Sequence, residues 1–379
     1  MVPFSSATVG MATGGKRDLR VLIVRTSAMG DVLHALPAVT ALRRLHPEWF
    51  IGWVIDPRWM PLLEAAGCGA EAGTGPGRPI VDRVHRVPTQ AWKHRAFSME
   101  TVDGIRRLRR ELRAERYDLC IDMQGLIRSS LVGAVSGAGR FVGRGRPRET
   151  PARWLYRQTV LTPAAHVIEQ GCELVSGAIG ERLTPGRVEL PVDSTAEQWV
   201  DEFLERTLPR ELWGRFAFFA PTAGWGAKTW PMERYGAVAV SLAEAGWATL
   251  VNAAPTRNGV PDAAAAAVET ASLGCAVAAP STLAQMTALI RRAALVVAGD
   301  TGPLHLAAAL GRPVVGLYGP TDPARTGPYG TRSRVLRHAT SVVDHSRREA
   351  TEQGLALISA GELVAAAMEL LRESEMGVA

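Results

Sequence analysis

The chain of 379 residues offers little of the chemistry that is easiest to read from sequence. Its four cysteines, Cys68, Cys120, Cys172 and Cys275, stand about fifty or more residues apart with no CxxC pair, a spacing that argues against a zinc site or a disulfide framework. They read as buried apolar side chains. No run of about 18 apolar residues is free of charge, and the opening MVPFSSATVGMATGGKR has no apolar stretch of the signal-peptide kind, so a cytoplasmic protein is expected. A Walker loop GxxxxGK[ST] is missing, as is a GxGxxG that follows a strand and precedes an acidic residue, and with them go the main supports for P-loop or dinucleotide binding. No HExxH-type spacing and no DxD motif gives positive reason to expect a metal.

What the chain does have is an ordinary globular balance, 47% hydrophobic and 21% charged, at a length that favours two domains. Disordered and fibrous classes are thereby excluded. The net charge of +6 is unevenly held: residues 1–190 carry 27 Lys and Arg against 18 Asp and Glu, residues 191–379 carry 16 against 19. Much of the excess lies between Arg83 and Arg116 and in RFVGRGRPRETPARWLYR from Arg140 to Arg157, read either as a solvated face or as a contact for an anionic partner.

Residues 1–18, rich in Gly, Ser, Thr and Ala, read as a disordered leader. From Val21 a short apolar run, VLIVR, is followed by a polar turn, TSAMGD, and by VLHALPAVTALRRLHP, whose apolar spacing is helical up to Pro47. FIGWVID and YDLCIDMQG read as further strands, with a basic helix through IRRLRRELRAER between them. Strands alternating with helices imply a parallel sheet covered on both faces. The Pro- and Gly-punctuated LTPGRVELPVDST, residues 183–195, marks the domain boundary, and a helix should begin near Asp193 or Ser194. The second half repeats the scheme with FAFFAPTAG, a helix from near Pro231, WATLVNAAP, a helix near Ser281 to Arg292, and ALVVAGDTGPLHLAAALGRPVVGLYG. Near the end, Ser359 and Glu362 form a capping box before an amphipathic helix.

In open parallel sheets ligands bind beyond the carboxyl ends of the strands, and three strand-to-helix loops stand out. In TSAMGD, Gly30 permits a tight turn, and Asp31 reads either as a helix cap or as a carboxylate held at the cleft as a general base. His34 lies one turn on. In GDTGPLH, Asp300, Thr301 and Gly302 lead into Pro303, which suits a first helical turn, and the free N–H groups and dipole there suit a phosphate. In PTAGWGAKTWP, Lys228 is either a solvated lysine or a charge that neutralises a leaving group; Trp225 and Trp230 read as packing residues.

Together VLIVRTSAMGDVLHALPA (21–38), YDLCIDMQGLIRSS (117–130), AKTWP (227–231) and AGDTGPLHLAAALGRPVVGLYGPTDPARTGPYG (298–330) resemble the bacterial heptosyltransferases of glycosyltransferase family 9. The likeness spans nearly the whole chain after residue 18. It implies a GT-B fold: an α/β protein of two Rossmann-like, doubly wound parallel-sheet domains facing across a cleft. Residues 19–190 would hold the acceptor, residues 191–345 the nucleotide sugar, and residues 346–379 would form a helical segment packing back toward the first domain. It further implies inverting, metal-independent transfer, with no cofactor beyond the donor substrate.

By the same resemblance Asp31 matches the catalytic carboxylate, Lys228 the lysine on the nucleotide phosphates, and Asp300, Thr301, Gly302 and His305 the donor loop, with Thr222 in a phosphate-side turn. Arg128, with Asp122 and Gln124 beside it, matches the acceptor region. TSAMGDVLH is closest to the type I enzymes, which implies transfer of heptose from ADP-heptose to Kdo on lipid A at the inner face of the inner membrane. Neither a nucleic acid nor an obligate protein partner is implied. Thr256, Arg257 and Asn258 stand where the family commonly has an acidic residue serving the nucleotide, and Ser281 falls near a position that type I enzymes can fill with Met. The alternatives are a relative that adds a later heptose or uses another acceptor or donor, a GT-B-shaped nucleotide-sugar epimerase, and a nucleotide- or lipid-surface-binding module without catalysis.

Overall fold

The computed structural model describes residues 18–65, 78–94, 98–255 and 262–377. Most of the expected leader, Cys68 and the Thr256–Asn258 triplet lie outside them.

The first half runs β1 (Arg20–Val24), α1 (Met29–Leu45), β2 (Phe50–Ile55), β3 (Arg83–Arg86), α2 (Thr89–His94), α3 (Met99–Ala114), β4 (Leu119–Asp122), α4 (Ile127–Val135), β5 (Arg140–Arg144), β6 (Gln158–Val160) and α5 (Val167–Ile179). Its six strands form one parallel sheet in the order β3-β2-β1-β4-β5-β6. The second half runs α6 (Ser194–Thr207), β7 (Phe216–Ala220), α7 (Met232–Glu244), β8 (Ala248–Ala253), α8 (Ala263–Ala271), β9 (Ala276–Pro280), α9 (Leu283–Arg292), β10 (Leu295–Gly299), α10 (Gly302–Ala309), β11 (Val314–Tyr318), α11 (Pro323–Thr326), β12 (Ser333–Arg337), α12 (Gln353–Leu357) and α13 (Ala360–Glu375). Its sheet, β12-β11-β10-β7-β8-β9, repeats the same topology. In each sheet the chain reverses direction of growth between the two central strands, β1 and β4 or β7 and β10, which is where ligands of such sheets bind.

The central strands are apolar throughout because both sheet faces are covered: FAFFA of β7 and LVVAG of β10 are wholly buried. β3, β5, β6, β9 and β12 escape a reading by apolar runs. RVHR, RFVGR, QTV and SRVLR are short and largely polar, and AVAAP is rich in alanine.

Helix starts follow the side chains available to cap them. Asp193 accepts from the Ala196 N–H at 2.9 Å at the head of α6. At α13, Ser359 Oγ accepts from the Glu362 N–H at 3.2 Å while Glu362 Oε2 accepts from the Ser359 N–H at 2.8 Å, the reciprocal pair expected there. The destination of α13 differs from expectation. Its buried face, Leu363, Ala366, Ala367, Leu370 and Leu371, joins the core around α7, β10 and β11 of the second domain. Arg334 of β12 holds Glu369 and Glu373 at 2.7 and 2.6 Å, and Arg215 holds Glu375 at 2.9 Å. The helix closes the second sheet rather than returning to the first, because this i, i+3, i+4, i+7 stripe finds its apolar partner there.

The two domains meet where α1 packs on α10. Leu304, Leu306 and Ala307 of α10 share one apolar cluster with Val32, Leu33 and Leu36 of α1.

Candidate active site

Both helices at the domain contact begin at the carboxyl end of a central strand, so the loops after β1 and β10 face each other. Gly30 and Gly302 allow the approach. A Cβ on Gly30 would stand 2.8 Å from His305 Cδ2, and one on Gly302 would stand 2.5 Å from Met29 Sδ, separations no real side chain tolerates. The rings of His34 and His305 lie edge to face across the contact with centroids 4.2 Å apart.

Asp31 occupies the third position of α1. It does cap, accepting from the Ala28 N–H at 3.3 Å, but its main partners are cations. Arg25 Nη2 reaches Oδ1 at 2.7 Å and Arg148 Nη1 reaches Oδ2 at 2.9 Å. Burial alone would raise its pKa; the Arg25 and Arg148 guanidiniums, with His34, outweigh that and hold the carboxyl at about 2. His34 is itself held well below the usual imidazole range by burial and by the neighbouring His305, against the pull of Asp31. Arg25 is anchored: it is 7% exposed and also donates to the carbonyls of Met123 and Asp31.

Three further arginines and the Asp31 carboxylate share one pocket. Arg144, Arg148 and Arg325 line it together with Arg25, His34 and Gln124, and it encloses only about 30 Å³. Arg325 reaches it from α11 of the second domain. Burial, then Arg25, Arg148 and Arg325, lower the Arg144 pKa to about 10 despite Asp31. Its Nε is buried without a hydrogen-bond partner among the described residues.

The second-domain half is a chain of paired groups. Lys228 Nζ donates to Asp300 Oδ2 at 2.7 Å and to the Asp300 carbonyl at 3.2 Å, and His305 Nε2 lies 3.1 Å from Asp300 Oδ1. Burial opposes ionisation of Asp300, but His305 and Lys228 hold its pKa far below the usual carboxylate range. Asp300 thus positions Lys228 and His305. At the head of α10, Thr301 is the N-cap residue yet makes no side-chain cap, so the N–H of the half-buried Gly302 has no cap from that side chain and suits an anion. Thr222 is exposed on the loop after β7; among the described residues no hydrogen bond joins it to Lys228 or Asp300. Trp230 is buried, and Trp225 has Lys228 Nζ 5.4 Å over its ring.

The residues expected to hold the acceptor do not all lie together. Asp122 is wholly buried and accepts from the Gln124 and Gly125 N–H groups at 2.8 and 3.1 Å, from Ser129 Oγ at 2.9 Å and from the Tyr156 hydroxyl at 2.8 Å. A carboxylate so filled anchors the loop after β4. Gln124 Oε1 accepts from both the N–H and the hydroxyl of Thr26 at 2.8 Å, tying the β1 and β4 loops together beside Asp31. Arg128 lies apart, exposed at the rim of an apolar depression of about 480 Å³ with Thr26, Trp92, Leu131 and Val132. Arg25, Arg144, Arg148 and Arg325 line the pocket that holds Asp31. Only Arg25, at the end of VLIVR, carried a positional signal, the strand terminus; Arg144 and Arg148 were hidden in a generally basic stretch.

Residues 105–356 match the family described as Glycosyltransferase family 9 (heptosyltransferase). The chain belongs to glycosyltransferase family 9. Lipopolysaccharide heptosyltransferase 1 of Pseudomonas aeruginosa is 30% identical over 328 residues, covering 84% of this chain and 83% of that protein. Lipopolysaccharide heptosyltransferase 1 of Escherichia coli K12 is 31% identical over 332 residues, covering 84% and 93%. The solved structure of E. coli heptosyltransferase WaaC with ADP-2-deoxy-2-fluoro heptose superposes with a TM-score of 0.70 at 26% identity, over 94% of this chain and all of that one. The family 9 chain is therefore a GT-B heptosyltransferase by fold and by enzyme class, and its two switch points form the two sides of the cleft.

Proposed function

We propose that this enzyme transfers heptose from ADP-heptose to a Kdo residue of lipid A, the first heptose of the lipopolysaccharide inner core, by inversion and without a metal. The observation that carries the reading is Asp31 at the head of α1, set across the domain contact from the Lys228–Asp300–His305 group and the uncapped head of α10. The acceptor hydroxyl gives its proton to Asp31, and its oxygen bonds to the anomeric carbon from the face opposite the nucleotide. The bond from that carbon to the phosphate oxygen breaks, and the electron pair leaves on ADP. Lys228 and the α10 N–H groups stabilise the departing diphosphate. The two curated relatives named above are both type 1 enzymes, which supports the first-heptose assignment.

No helix among the described residues is long and apolar enough to cross a membrane. The exposed Arg106, Arg107, Arg109 and Arg110 of α3 suit peripheral contact with an anionic bilayer. The test is mass spectrometry of Kdo-lipid A after incubation with ADP-heptose in EDTA, beside an Asp31→Ala control. A heptose-sized gain that survives EDTA and needs Asp31 is expected. No gain with active stocks would overturn the donor and acceptor assignment.

A further inference from the structure

Both oxygens of Asp31 are occupied by guanidinium groups, an arrangement unsuited to a base. The space beside them, about 30 Å³, holds roughly one water. The carboxylate is 20% exposed, so an acceptor hydroxyl can approach it, but paired to two guanidiniums it is too weak a base to take the proton until one arginine withdraws. The two arginines are unequal. Arg25 is buried and held by two backbone carbonyls besides Asp31. Arg148 has a side chain 51% exposed, and its hydrogen bond to Asp31 is the only one that its side chain makes among the described residues. Arg148 is the group free to move.

The charges around it say what would move it. Arg144 and Arg325 lie in the same pocket, with the Arg144 Nε unsatisfied. Four guanidiniums therefore share this pocket with the single carboxylate of Asp31, two of them in contact with it. The other titratable groups facing the pocket are His34, with His305 and His166 packed against it, and Asp122, whose field reaches Arg25. His34 and His166 are both held below the usual imidazole range, chiefly by burial. Asp122 is wholly buried, with its oxygens taken by Gln124, Gly125, Ser129 and Tyr156. The pocket is short of negative charge.

We propose that Arg148 is a latch on Asp31 that an anionic group of the acceptor releases: a carboxylate or phosphate monoester entering between Arg144 and Arg325 takes Arg148 as its third partner and frees Asp31 to accept the proton. Arg148 is then a positioning residue, and the base becomes competent only when the correct acceptor is bound. This rests on the reading of Asp31 as the base. The fork of a guanidinium exchanges one oxyanion for another without loss of geometry, so the swap needs movement of one exposed side chain alone.

The test compares wild type, Arg148→Ala and Arg148→Lys on Kdo-lipid A, on its Kdo methyl ester and on the dephosphorylated acceptor, across pH 4–9. Asp31 in the free wild-type enzyme lies near 2, so its kcat/KM should show no acid limb from this group in that range. In Arg148→Ala that limb should rise by about 1–3 units, and the preference for the acidic acceptor over its neutral form should fall at least tenfold, with Arg148→Lys intermediate. Whichever neutral acceptor loses the preference identifies the anion, carboxylate or phosphate. An unchanged preference and an unchanged pH profile in Arg148→Ala would overturn the latch. A tenfold loss of ADP affinity by calorimetry would assign the cluster to the donor instead and overturn it as well. An Asp31→Asn enzyme of normal turnover would overturn the base reading itself, whereas an inactive Asp31→Asn beside an unaltered Arg148→Ala sinks the latch alone.

Discussion

Gly30 of the first domain and His305 of the second touch across the cleft so closely that a Cβ on Gly30 would stand 2.8 Å from the His305 ring. His305 cannot simply turn aside, because its Nε2 lies 3.1 Å from Asp300 Oδ1, and Asp300 also holds Lys228. A methyl group at residue 30 therefore presses on the donor side through a rigid ring. Gly30→Ala should lower kcat by roughly 10- to 100-fold, since misplacement of about 1 Å can cost that much. Calorimetric titration should find ADP affinity within about threefold of wild type.

Lys228 and Asp300 form a largely buried pair, with side chains 15% and 7% exposed. Removing the lysine leaves a desolvated carboxylate whose remaining side-chain partner is His305. Lys228→Ala should lose about 3 kcal/mol of stability and bind ADP at least tenfold more weakly. Thermal unfolding and calorimetry together check this; a normal Tm with normal ADP affinity would show that the lysine serves neither the pair nor the phosphates.

Acid should destabilise the fold through Asp31. Its folded pKa, about 2, is below the ordinary 3.8, so the unfolded chain binds the proton more readily. The stabilisation, about 2 kcal/mol from this group, is present in full above pH 4 and is lost as pH falls toward 2. Asp300 is depressed for a similar reason and adds with the same sign. Chemical denaturation at pH 6 and pH 3 should show a smaller loss for Asp31→Asn than for wild type.

Asp122 offers a test of what is scaffold and what is site. Tyr156→Phe removes one of its four donors, which should cost about 1–3 kcal/mol and leave the acceptor KM within about twofold. A raised KM at unchanged Tm would return Asp122 to the acceptor site.

Much of this protein is local information. The apolar runs VLIV, FAFFA and LVVAG are dictated by burial on both sheet faces, and the caps at Asp193 and Ser359 by the side chains beside the first free N–H groups. The loops bearing Asp31, Lys228 and Asp300 follow from strand-to-helix order, because such loops open at the carboxyl edge of a parallel sheet. Short polar strands such as RVHR and QTV lack that signal; pairing with a neighbour makes them strands.

Tertiary structure decided which charges meet. Arg148 lies 117 residues from Asp31 in the chain, and Arg325 comes from the other domain, so no spacing rule joins them. Asp122 and Asp31 both end up beside a switch point, yet one is filled by two donors of its own loop, by Ser129 of α4 and by the distant Tyr156, while the other faces arginines. A carboxylate's role depends on which groups occupy its oxygens, and folding brings those groups together from distant parts of the chain. The α13 stripe likewise announced an amphipathic helix, while the sheet that it covers was settled only by which apolar surface lay within reach.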